Sequence, residues 1–152
     1  MQTLSESELR LFVDSVRRYF DTTTAQTPQI TSAFLGTAPV PSHQFTGTVQ
    51  FSGSYHGQVL VSMPSPLLRE LLVLQHATDF SDANLLDAVG EIANTLAGNA
   101  RKALGEGLKI SVPTTRQGSA DLHPTVRLHP YAITLRWNHQ PALVLVDMER
   151  RE

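Results

Sequence analysis

The sequence has no cysteine, which excludes a disulfide framework, a thiol nucleophile and a zinc site built on thiolates. It is also poor in charge: Asp, Glu, Lys and Arg make up 17% of its 152 residues, against about a quarter in an ordinary domain. Neither sign dominates, since 12 Lys and Arg against 14 Asp and Glu leave a net charge of −2. With no cationic excess to displace counterions from a phosphate backbone, nucleic-acid binding is not expected. No apolar run approaches the ~18 residues that a membrane span requires, so no membrane insertion is expected either. The first twenty residues carry Glu6 and Glu8 where a secretory leader would have a basic and then an apolar stretch. Hydrophobic residues reach 41%, and a chain of this length can bury about 68–70% of its unfolded surface. These quantities point to one cytoplasmic domain over residues 1–152.

Ser5-Glu6-Ser7-Glu8 has the form of a capping box, and Leu9, Phe12, Val13, Val16, Tyr19 and Phe20 follow at the spacing of one helical face. The Thr-rich stretch 21–28 reads as a loop, and residues 30–37 as a strand. Alternation over 45–52 and β-rich composition over 58–63 predict a hairpin whose turn is Gly53-Ser54-Tyr55-His56-Gly57. Ser65 as N-cap and Pro66 at the first helical position open a second helix, buried through Leu67, Leu68, Leu71, Leu72 and Leu74. A third helix spans 83–104 and is stopped by Gly105 and Gly107. Residues 108–112 form a short strand ended by Pro113, and 114–124 a loop. Strands at 131–137 and 142–146 flank a turn over 138–141, and the charged tail 149–152 frays. This order predicts an α+β fold with a largely antiparallel sheet and three helices.

The third helix concentrates the chemistry. With Glu91 at zero on a 100° wheel, Leu85, Val89, Ile92, Leu96, Ala100 and Ala103 gather at about 100–180° as the buried stripe. On the far side Asp87, Asn94 and Gly98 lie at about −40°, −60° and −20°, with Gly90 and Ala97 as small residues at the border. Any amphipathic helix has a polar outer face, but two details set this one apart. Each helical glycine costs about 1 kcal/mol relative to alanine, so Gly90 and Gly98 imply close packing or a function. From Asp87 to Ala100 there is also no Lys or Arg. The spacing alone names no reaction.

Asp87-x-x-x-Glu91-x-x-Asn94, extended as EIANTLAGNARKAL and followed by LKISVPTTRQG, closely resembles the CheX type of the CheC-like chemotaxis phosphatases. Residues 87–118 carry the strong part of the likeness, and Pro113 matches the family's downstream proline. FSGSYHGQVLVSMPSPLLRELL matches more loosely the family's glycine hairpin leading into a helix. The CheC branch resembles a duplication with two motifs, so the single copy favours CheX. The resemblance implies a CheC-like fold, and hydrolysis of the aspartyl phosphate on a CheY-like response regulator in chemotaxis or related two-component signalling. It implies that Glu91 binds the regulator's active-site lysine and that Asn94 orients a water in line with phosphorus. Asp87, Gly90, Ala97, Gly98 and Pro113 then border the docking surface. It implies further that Mg²⁺ sits on the regulator, so this chain needs no cofactor, and that the chain forms a homodimer through its sheet. The competing readings are a silent CheX-like adaptor or dimerisation module, and a scaffold whose helix face is merely solvated.

Other constellations are weaker. The histidines at 43, 56, 76, 123, 129 and 139 show no metal-ligand spacing. His123-Pro124 and His129-Pro130 read as loop and strand-entry residues. Gly53 to Gly57 lacks the order of a nucleophile elbow, and Gly98 to Gly105 that of a phosphate loop. Arg101 and Lys102 suit a helix C-terminus, and Trp137 suits the core or a dimer contact.

Overall fold

A computed structural model describes residues 5–35, 40–126 and 130–151; His129 and the end of the 30–37 strand lie outside them. Helix α1 (Glu6–Thr24) starts from the expected capping box. The Glu8 amide donates to Ser5 Oγ at 3.2 Å, and the Ser5 amide donates to Glu8 Oε1 at 2.9 Å. Phe12, Val16 and Phe20 are buried. The helix runs through part of the segment read as loop, because Thr24 Oγ1 donates to the Phe20 carbonyl at 2.6 Å. Ala25 then closes it in the left-handed region at φ 58°.

The described strands are β1 (Gln29–Leu35), β2 (Val40–Pro41), β3 (Phe45–Gly53), β4 (Tyr55–Met63), β5 (Leu108–Ile110), β6 (Thr114–Gln117), β7 (Asp121–Leu122), β8 (Tyr131–Trp137) and β9 (Gln140–Arg150). The main sheet is antiparallel in the order β1-β8-β9-β4-β3-β5, with β6 also on β3, while β2 and β7 pair separately. Helices α1, α2 (Ser65–Leu74) and α3 (Asp82–Leu104) cover one face over the main core, which includes Val49, Val61, Leu67, Leu96 and Ile133. A smaller cluster of Val40, Leu60, Leu122, Ala132, Leu143 and Leu145 involves β2 and β7. The architecture is therefore the expected α+β one, an antiparallel sheet with three helices.

Several local expectations change. The β3–β4 hairpin is tighter than a five-residue turn: Gly57 pairs with Phe51 inside the ladder, and a Cβ there would strike the Asp147 carbonyl of β9. Pro64, not Ser65, is the N-cap of α2, and Pro66 follows in the first turn. The Ser65 amide donates instead to Gln44 Oε1 at 3.1 Å. Leu74 is exposed. The strand read over 108–112 ends at Ile110, and the loop read over 114–124 contains β6 and β7. The tail is not frayed through Arg150, which pairs across to Tyr55 and forms an ion pair with Glu8. Trp137 belongs to the core: it is 3% exposed, packs on Phe20 and donates Nε1–H to Thr24 Oγ1 at 3.2 Å. Asn138 and His139 form the two-residue hairpin loop, both with positive φ (50° and 66°), as such loops require.

Candidate functional site

Helix α3 is placed by a glycine contact with the sheet. A Cβ on Gly47 of β3 would lie 2.6 Å from the Val89 carbonyl oxygen and 3.0 Å from Gly90 Cα, so helix and strand approach backbone to backbone. Ser81 caps the helix, accepting from the Asn84 amide at 3.3 Å, and Asn84 Nδ2 donates to the Asp79 carbonyl at 2.6 Å. At its other flank Gln117 Nε2 of β6 donates to Asp82 Oδ2 at 2.9 Å. Leu85, Val89, Ile92, Leu96 and Ala100 are buried as expected, together with Ala93, whereas Ala103 is exposed near the helix end.

Glu91, Asn94 and Asp87 are exposed and Gly98 is half-buried, so these four form an outer ridge. Gly90 and Ala97 do not join it. Ala97 is 0% exposed and Gly90 is buried, which corrects their assignment to a contact surface. For Gly90 the cause is the adjoining segment: a Cβ there would stand 2.9 Å from Thr115 Cγ2 and 3.6 Å from Pro113 Cβ. The β5–β6 connection thus rises beside the helix, and Pro113, half-buried, forms the wall next to the ridge. A Cβ on Gly98 would meet no heavy atom within 4 Å, so this stretch of the ridge is open.

Beyond the opposite edge of the ridge lies a cleft of about 550 Å³, lined by residues of α1, α2 and α3. Asp87, Glu91 and Thr95 form part of its lining, with Tyr19 and Gln75 across from them. Burial pushes the Tyr19 hydroxyl above its ordinary pKa, against hydrogen bonding to Thr23 and Gln75, and the Glu91 charge pushes the same way as burial. Helical spacing assigns Tyr19 to an apolar face and does not reveal this cleft; only the terminal hydroxyl hints at a polar edge.

Among the described residues, the side chains of Asp87, Glu91 and Asn94 have no hydrogen-bond partner. Thr95 bonds only the Glu91 main chain, donating to its carbonyl at 2.9 Å. Residues three apart on a helix face place their Cβ atoms about 5–6 Å from each other. The ridge therefore presents a carboxylate and an amide, one turn apart, on a backbone fixed to the sheet. A carboxylate in this position can accept from a partner's ammonium group. A carboxamide offers donor and acceptor together, so it can hold a water without changing protonation. No group of three or more His, Asp or Glu able to hold a metal ion occurs among the described residues.

The family model for the chemotaxis phosphatase CheX matches residues 45–135. No curated protein matches the sequence. A CheC-like superfamily protein from Shewanella sp. PV-4 has a similar structure, with TM-score 0.85 and 16% identity, over 96% of this chain and 99% of that one. The chemotaxis protein CheX from Vibrio vulnificus gives TM-score 0.82 and 14% identity, over 94% and 99% of the two chains. The CheX–CheY–BeF3–Mg²⁺ complex from Borrelia burgdorferi gives TM-score 0.71 and 14% identity, over 94% and 98%. At these identities the structural likeness is one of fold.

Proposed function

The chain belongs to the CheX family of chemotaxis phosphatases, and from that premise we propose that it hydrolyses the aspartyl phosphate of a CheY-like response regulator. The observation that carries this reading is the exposed pair Glu91 and Asn94, one turn apart on a helix locked to the sheet and without internal partners. Glu91 accepts a hydrogen bond from a lysine in the regulator's site and fixes the docking register. Asn94 enters that site and holds a water in line with the phosphorus. The water oxygen forms the new P–O bond, the bond to the aspartyl oxygen breaks, and the regulator's carboxylate and inorganic phosphate leave. Positioning suffices for much of such a reaction, as the water-orienting Gln of GTPases illustrates. Mg²⁺ belongs to the regulator in this reading, and the CheX–CheY–BeF3–Mg²⁺ complex from Borrelia burgdorferi supports the choice of partner. Asp87 and Gly98 extend the docking ridge, and Pro113 borders it.

The reading also includes a homodimer formed through the sheet. Among the described residues β1 pairs only with β8, and its sequence, QITSAFL, has none of the charges or prolines that blunt a free edge.

The test is phosphate release from a Mg²⁺-loaded, phosphorylated CheY-like regulator. The wild-type chain is expected to accelerate it. Asn94→Ala should lose most of the rate while still binding, and Glu91→Ala should weaken the complex. Acceleration unchanged in both variants would remove this helix from the mechanism, whereas binding without acceleration by wild type would favour the adaptor.

A further inference from the structure

We propose that helix α1 is a contact surface for a second copy of this chain, docked antiparallel across a two-fold axis so that Arg10 meets the partner's Asp14 and Glu6 meets the partner's Arg17. This specifies the homodimer included in the proposed function and rests on that part of it.

Charge alternates in sign along one side of α1, through Glu6, Arg10, Asp14 and Arg17. Steps of four, four and three residues keep these side chains on one helical face. All of them are exposed, and all line one groove of about 370 Å³. Alternating charges on a helix are often satisfied within it, by ion pairs one turn apart. Here only the first such pair closes, with Arg10 donating to Glu6 Oε1 at 3.3 Å. Among the described residues Asp14 and Arg17 make no ion pair. The groove also has apolar surface to cover. Leu9 and Val13, both half-buried, line it from the helix, and Ala33 of β1 and Tyr131 of β8 line it from the sheet.

The order of the signs selects the occupant. From the N-terminal end the row reads negative, positive, negative, positive, and from the other end it reads the reverse. An antiparallel copy of the row therefore sets opposite charges against each other at every position, whereas a parallel copy sets like against like. This self-complementarity is what an isologous interface needs, because every contact then occurs twice about the two-fold axis. Ion pairs between helices fix partner choice and orientation, while burial of Leu9 and Val13 supplies the apolar contact. Ala33 places the groove beside β1, whose free edge the homodimer uses. One docked copy thus covers the strand edge and the charged row together.

The experiment is sedimentation of the full chain as wild type, as Arg10→Glu, as Asp14→Arg, and as an equimolar mixture of the two variants. Both positions are exposed, so circular dichroism should show wild-type helix content in each variant. Arg10→Glu alone sets two carboxylates against each other at both symmetry-related contacts, and Asp14→Arg alone sets two guanidinium groups there. Each should raise the dimer dissociation constant about tenfold or more, by an amount that shrinks in ~1 M salt. In the mixture both contacts regain opposite charges, so a heterodimer should form within about threefold of wild-type affinity. Single variants that dimerise as tightly as wild type, or a mixture that stays as weak as its components, would overturn the α1 contact and leave pairing through the sheet intact. A monomeric wild type would overturn both.

Discussion

Gly98→Ala should stabilise the protein although glycine occupies part of the docking ridge. Alanine is favoured over glycine inside a helix by about 1 kcal/mol, because the unfolded chain has less backbone freedom to lose. Whether that gain is realised depends on what the new methyl meets, and at Gly98 it meets no heavy atom within 4 Å. The full increment of about 1 kcal/mol is therefore expected, equivalent to a rise of about 2–4 °C in Tm for a domain of this size. Two other glycines supply the controls. At Gly90 the same gain is opposed by Thr115 Cγ2 at 2.9 Å, a side-chain methyl able to turn aside, so the net change should be small. At Gly47 there is no helical gain, and the methyl would lie 2.6 Å from the Val89 carbonyl oxygen, with backbone on both sides. Prying α3 from β3 should cost about 1–3 kcal/mol, the usual range for overpacking. Thermal and urea unfolding of the three variants would read this order. A destabilised Gly98→Ala, or a neutral Gly47→Ala, would refute the account of how α3 is placed. If the regulator packs on the ridge, the more stable Gly98→Ala should also show a higher KM.

Burial pushes the Glu8 carboxyl up, but hydrogen bonds from Ser5, Tyr55 and Arg150 outweigh it and hold the pKa below its ordinary 4.5. A depressed folded pKa contributes stability above the unfolded value that is lost as pH falls through the folded one. The stability gap between wild type and Glu8→Gln, from urea melts, should therefore be full well above the ordinary 4.5 and narrow as pH falls through the lower folded pKa; a constant gap would contradict it. Sedimentation should show a dimer for wild type and a monomer for Thr31→Lys, which places a charge on β1; a monomeric wild type would contradict edge pairing.

The parts of the fold legible in the sequence are those governed by one element's own period. The buried stripe of α3 is readable because the helix meets the sheet along most of its length. Ala103 departs from it and is exposed in the last turn, although Leu104 beside it still packs against the core. The helical wheel puts Gly90 and Ala97 on the rim of the outer face because it knows nothing of neighbours; both are buried, Gly90 against Pro113 and Thr115. Strand β6 is invisible for a related reason: all four of its residues are exposed, so no alternation marks it. The charged tail reads as frayed because Glu8, the partner of Arg150, is distant in sequence and adjacent only in the fold. Of the candidate site, Asp87, Glu91 and Asn94 can be placed on one exposed face from spacing alone. The cleft between the helices needs the tertiary arrangement.

The proposed role of Asn94 is to turn a docked helix into a hydrolytic site. Its most direct measurement is the single-turnover decay of the phosphorylated regulator, with Mg²⁺ present and the chain in excess, for wild type and Asn94→Ala. Saturation removes differences in binding, so the rates compare the chemical step alone. Fast decay is expected with wild type, and with Asn94→Ala a rate close to that of the regulator by itself. Equal decay with both proteins would contradict it.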